Sequence, residues 1–111
     1  MATGRLGIAD LSASTYTNLY TPPASTFAVA SVSICNRNAT AVTARVALTT
    51  TNPAGNTAPA DSAFLEFGVT VPANSVLERT GLVVAVGQYV SVWASNTSVT
   101  AVAYGIETST V

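Results

Sequence analysis

Apolar and polar positions alternate along most of this chain with a period of two. Val42, Ala44, Val46 and Leu48 interleave with Thr43, Arg45, Ala47 and Thr49. An extended strand sends such sets to opposite faces. Ala28, Ala30, Val32 and Ile34 interleave in the same way with Phe27, Val29, Ser31, Ser33 and Cys35. Tyr89, Ser91 and Trp93 interleave with Val90, Val92 and Ala94, and Val102, Tyr104 and Ile106 with Ala101, Ala103 and Gly105. Turn chemistry punctuates these runs at Pro22-Pro23, Asn36-Arg37-Asn38, Asn52 to Asn56, Pro72-Ala73-Asn74, Gly87 and Asn96. No stretch carries a long helical stripe. The pattern predicts about seven or eight strands, at the spacing of an antiparallel sandwich or barrel. Their approximate limits are 5–10, 15–20, 26–36, 41–50, 62–70, 75–84, 88–95 and 98–107. The fold class is all-β, a single antiparallel β-sandwich of jelly-roll or Greek-key type over residues 1–111. Residues 1–8, M-A-T-G-R-L-G-I, are a candidate extended arm able to add a strand to a neighbour.

Two local features refine the picture. The stretch from Thr49 to Asp61 holds two prolines and a glycine but no large apolar residue, which predicts an exposed, mobile loop. Thr21-Pro22-Pro23-Ala24-Ser25-Thr26 echoes Thr70-Val71-Pro72-Ala73-Asn74-Ser75. The simpler account is one favourable tight connection used twice, and the alternative is a duplicated four-strand unit.

Composition then narrows the chemistry. The 111 residues include no histidine, so no His-based triad, general base or metal ligand is expected. Cys35 is the sole cysteine, which excludes an intrachain disulfide and is read as a buried small hydrophobe. Only 8% of residues are charged, the net charge is −1, and the four bases Arg5, Arg37, Arg45 and Arg79 form no cluster. A nucleic-acid partner is therefore not expected. No apolar run approaches the length of a membrane helix, and the first residues lack the regions of a signal peptide, so neither membrane insertion nor export is expected. No cofactor or metal motif is present. Few charges also mean weak repulsion between copies, which suits a chain packed in an assembly.

The candidate sites are few. Glu78 and Arg79 are adjacent in a chain poor in charge. Strand geometry points them to opposite faces, so each needs its own partner. For Arg79 the candidates are Glu66, Asp61, Glu107 or another chain, and Arg5, Glu78 and Arg79 are candidate interface residues. The carboxylates Asp10, Asp61, Glu66, Glu78 and Glu107 are scattered singly, with neither calcium-loop nor glycosidase spacing. Tyr16 and Tyr20 are an even number of residues apart, as are Tyr89 and Trp93, so each pair is expected to share a strand face. Core packing is the simpler reading of these rings, and stacking on a saccharide is the alternative.

Residues 20 to 48, Y-T-P-P-A-S-T-F-A-V-A-S-V-S-I-C-N-R-N-A-T-A-V-T-A-R-V-A-L, resemble a pattern of small bacteriophage virion proteins. So do residues 71 to 94, V-P-A-N-S-V-L-E-R-T-G-L-V-V-A-V-G-Q-Y-V-S-V-W-A, and the closing V-A-Y-G-I-E at 102 to 107. The likeness lies in the succession of Pro-Ala-Asn turn, C-N-R corner, L-E-R-T-G strand and G-Q-x-V strand. It implies a structural component of a particle, made and assembled in the host cytoplasm, with no catalytic residue to carry over. The expectation is a non-enzymatic capsid decoration (cement) protein. It would be homo-oligomeric, with a trimer as one option, and would fasten neighbouring major capsid proteins. The alternatives are a tail, neck, baseplate or fibre component, and a carbohydrate-binding module for a host surface.

Overall fold

The computed structural model describes residues 3–52, 55 and 57–110. Eight strands follow in order: β1 (Thr3–Leu11), β2 (Thr17–Tyr20), β3 (Thr26–Asn36), β4 (Val42–Thr49), β5 (Phe64–Val71), β6 (Val76–Val84), β7 (Tyr89–Ala94) and β8 (Val99–Ser109). A single 3₁₀ turn, Asp61–Ala63, precedes β5 and takes up the start of the strand expected at 62. Every strand lies within two residues of its expected limits.

The strands pair into two four-stranded antiparallel sheets, ordered β1-β8-β3-β6 and β2-β7-β4-β5. The chain changes sheet at every connection except β4 to β5. That wrapping is the eight-stranded jelly roll, a double-sheet way of packing antiparallel strands around one core. The core comes from one alternating set of each strand. Ala28, Val32, Ile34, Leu82, Val84, Val99, Ala101 and Ala103 of the first sheet face Leu19, Tyr20, Val42, Ala44, Val46, Val71, Val90, Val92 and Ala94 of the second. On β8 the small set faces inward and the large set, Val102, Tyr104 and Ile106, faces outward.

Several expectations are corrected by the register. Residues 3–8, expected as an arm, are strand β1 paired to β8, with Arg5 opposite Tyr104 and Ile8 opposite Val102. The first two residues lie outside the described part. Cys35 is half-buried on the outward set of β3, opposite Val76 and Thr100, because Ile34 beside it takes the core position. Tyr16 and Tyr20 do not share a face. The pairing of β2 with β7 shifts between Asn18 and Tyr20, and this bulge lets both Leu19 and Tyr20 enter the core while Tyr16 stays outside the sheet. The loop after β4 is exposed as expected over most of its described residues, but it is tied down at Gly55, whose carbonyl accepts the Tyr16 amide.

The repeated Pro-Ala turn has the same geometry twice. Ser25 and Asn74 both take left-handed φ, 56° in each. The hydroxyls of Thr26 and Ser75 then donate back to the carbonyls of Ala24 and Ala73. One turn solution, entering β3 and β6, accounts for the echo.

Asn36 closes one end of the sandwich. It is fully buried, and its side-chain amide donates to the carbonyls of Thr40, Val71 and Pro72, at 2.9, 3.1 and 3.1 Å. Its side-chain oxygen accepts from the Asn38 backbone amide at 2.9 Å and from the Asn38 side chain at 3.0 Å. The side chain thus joins the β3–β4 corner to the β5–β6 turn.

Candidate functional site

Three places gather the polar and aromatic side chains: the open edge between β5 and β6, the outer face of the β2-β7-β4-β5 sheet, and the outer face of the β1-β8-β3-β6 sheet.

At the open edge, Arg79 pairs with Val32 in register and so points inward, as does Glu66 opposite Val46. The two meet across the gap between the sheets at 2.8 Å. Of the candidate partners of Arg79, the fold brings Glu66 of the same chain into contact, so Arg79 ties the two sheet edges together while part of its side chain stays in water. Both side chains are partly solvated, which limits the pair to about 1 kcal/mol. Arg79→Ala should therefore lower stability by no more than about 1 kcal/mol in urea unfolding and leave any self-association unchanged. A loss of association with unaltered stability would contradict this placement.

On the outer face of β2-β7-β4-β5, Arg45 lies between rings. Its guanidinium carbon is 4.0 Å from the Trp93 ring centre and 4.4 Å from that of Phe67, and Nη1 donates to the Tyr16 hydroxyl at 2.6 Å. Tyr16 and Trp93 pack with centroids 6.1 Å apart, and Phe64 meets Phe67 edge-on at 4.9 Å. A planar cation stacked on aromatic faces gains from the ring quadrupole and loses little hydration. The guanidinium thus covers one face of the Trp93 ring that a saccharide would use. Of the four rings considered for stacking, Tyr16 and Trp93 meet in this cluster, Tyr20 is in the core, and Tyr89 stands two rows away opposite Thr49. Arg45, Phe64 and Phe67 were not singled out by the sequence. Their signal was Arg45 standing opposite Trp93, which requires the register to be known. A hollow of about 300 Å³ beside Phe64, Phe67 and Asp61, and a cleft of about 310 Å³ lined by Leu48 to Thr51, Pro59, Ala60, Ser62 and Ala63, lie on this side.

The outer face of β1-β8-β3-β6 differs. Six of the eight large apolar side chains that stand exposed among the described residues lie on it: Ile8, Val29, Val76, Val83, Tyr104 and Ile106. They come in rows across the sheet. Thr3, Ile106, Val29 and Val83 form one row, and Arg5, Tyr104 and Ser31 the next. Ile8, Val102, Ser33 and Glu78 form a third, and Asp10, Thr100, Cys35 and Val76 a fourth. Glu78, on the face opposite Arg79 as strand geometry requires, reaches back over the sheet to accept a hydrogen bond from the Tyr104 hydroxyl. Arg37, at the far end, donates to Thr100 at 2.9 Å and lies 3.5 Å from Asp10. Among the described residues Arg5 and Glu78 take part in no ion pair.

Two tyrosines are held protonated. Tyr20 donates to Glu107 at 2.6 Å, and burial, then that hydrogen bond, push its phenol well above the usual 10.0. Tyr104 is raised too, chiefly by its hydrogen bond to Glu78. The folded state holds these protons more tightly than the unfolded one. Their contribution is therefore complete below pH 10 and is lost as pH climbs through the raised values. Absorbance at 295 nm should show Tyr20→Phe and the parent gaining equal phenolate signal up to about pH 11 while folded, and differing once unfolded in urea. A smaller signal in the folded variant at that pH would refute the shift.

The fold and these surfaces define a jelly-roll sandwich with an arginine–aromatic cluster on one outer face and, on the other, exposed large apolar side chains set among polar and charged ones. Compared with known proteins, the chain matches no family model, no curated protein and no solved structure.

Proposed function

We propose that the chain is a non-enzymatic structural protein that acts by packing into an assembly, as a capsid decoration protein of a virion. The observation that carries this reading is the apolar outer face of the β1-β8-β3-β6 sheet. Monomeric soluble proteins rarely leave a contiguous apolar patch of more than a few hundred Å² in water. The surface charge that would keep copies apart is sparse, at 8% charged residues. The resemblance of residues 20–48 and 71–94 to small virion proteins supports the particle setting, and weak contacts repeated over many copies would fasten neighbouring capsid proteins through multivalency.

Labelling purified particles with an antibody against the chain tests this. Label over the heads supports the decoration role. Label confined to tails replaces it with the tail, neck, baseplate or fibre alternative, and particles without label overturn the reading.

A further inference from the structure

The apolar face is self-complementary. Arg5 stands on β1, one edge strand of its sheet, and Glu78 on β6, the other edge strand, one row further along. Between them run β8 and β3, which carry Tyr104, Ile106 and Val29. We infer that two copies of the chain pair face to face through the outer surface of β1-β8-β3-β6, about a two-fold axis parallel to the strands and passing between β8 and β3. This inference rests on the same apolar face as the functional proposal but names its occupant.

That axis exchanges β1 with β6 and β8 with β3. It lays Ile106 of each copy over Val29 of the other, and Arg5 of each over the strand that carries Glu78. The cation and the anion, neither in an ion pair among the described residues, then come within one row of each other twice. A two-fold axis across the strands would instead set Arg5 against Arg5 and Glu78 against Glu78, which is repulsive. An isologous contact requires that residue i meet j and j meet i, and only the first axis gives that for this charge pair.

The area is adequate. Four strands about 4.8 Å apart, with side-chain rows about 6.8 Å apart, give a face of roughly 19 by 30 Å, on the order of 600 Å² before side-chain relief. Two such faces bury about 1,200 Å² or more, which is the lower end of stable interfaces. Two sheets stacked in this way sit about 10 Å apart, within the reach of an arginine side chain. The other sheet offers no equivalent, because Arg45 and its rings occupy its outer face.

Sedimentation equilibrium of the purified chain tests the pairing. The expected result is a monomer–dimer equilibrium. Val29→Glu or Ile106→Glu should weaken it at least about ten-fold, while circular dichroism shows the same folded monomer, since both side chains already stand in water there. Arg5→Glu and Glu78→Arg should each weaken it, and the double variant, with the charges exchanged, should recover most of the loss. A chain that stays monomeric at several hundred micromolar overturns the inference, as does a trimer, or a dimer indifferent to Val29→Glu. A monomer that still labels particle heads would sink the pairing alone. A dimer that labels no particle would sink the virion role alone.

Discussion

Replacing Asn36 by aspartate should cost about 4 kcal/mol or more at pH 7, lowering the melting temperature by roughly 15–25 °C. The amide it loses donates to three carbonyls, those of Thr40, Val71 and Pro72, in a site with no access to water. A carboxylate there would take the side-chain donor from all three, leaving Pro72 with the Ser75 amide alone, and would set its own charge against their oxygens. The penalty has a definite pH dependence. The folded carboxyl would bind its proton more tightly than the unfolded one, because the protonated form can donate one hydrogen bond and carries no charge. Stability should therefore fall as pH rises above about 4, the unfolded value, and level off once the folded group ionises. Asn36→Leu removes the donor without adding charge. It should be destabilised by about 3 kcal/mol with no such pH slope. Urea unfolding of both variants at pH 4 and pH 7 separates the cases. An aspartate variant within 1 kcal/mol of the parent at pH 7 would show that the hub does not hold the corner.

The second large effect is expected at Gly105. It sits in the middle of β8, opposite Ala30 on β3 and Gly4 on β1, with φ at +155°. A side-chain carbon added there would run into the Val29 carbonyl oxygen and lie 2.9 Å from the Ala30 Cα. Those atoms are backbone held by ladders on both sides, so they have no cheap way to move. Gly105→Val should cost about 3 kcal/mol or more, the sum of backbone strain and overpacking. Gly81 is the internal control. Its φ is +75°, but nothing lies within 4 Å of the added carbon. Gly81→Ala should cost about 1 kcal/mol, from the left-handed backbone alone. Thermal melts of the two variants compare a steric clash with a conformational penalty in one protein. Equal losses would mean that the centre of the sheet yields more than the register implies.

The strands were legible because two local signals agreed, alternation within each run and turn residues between runs. The inward face was harder to read. Size alone would put Val102, Tyr104 and Ile106 inside and Ala101 and Ala103 outside, and the structure has the reverse. Small residues on β8 and β3 let this sheet approach the valines of the other, a reason that exists only once both sheets are assembled. Tyr16 and Tyr20 part company for a similar cause, since a bulge inserts one residue that parity cannot foresee. Asn36 was legible as a turn residue but not as a hub, because two of its three acceptors, Val71 and Pro72, come from 35 and 36 residues away. Arg79 could be given a set of partners from sequence, and only the edge-to-edge meeting of β5 and β6 chose among them.

The pairing of β1 with β8 sets a timetable for the chain's birth. Arg5 finds its partner Tyr104, and Leu11 its partner Val99, only after almost the whole domain has been synthesised. During that interval β3 too lacks the neighbour on one side, since β8 supplies it. Closing so long a loop delays the contacts that repay its entropy, and β-rich topologies of this kind fold slowly. Until β8 is made, β1 has no partner strand in its sheet and one edge of β3 stays open to neighbouring nascent chains. Release of the last strand is therefore the event that commits the molecule to its native state. A chain truncated before Val99 should be recovered as aggregate, whereas the full sequence should refold in a single slow phase after dilution from urea.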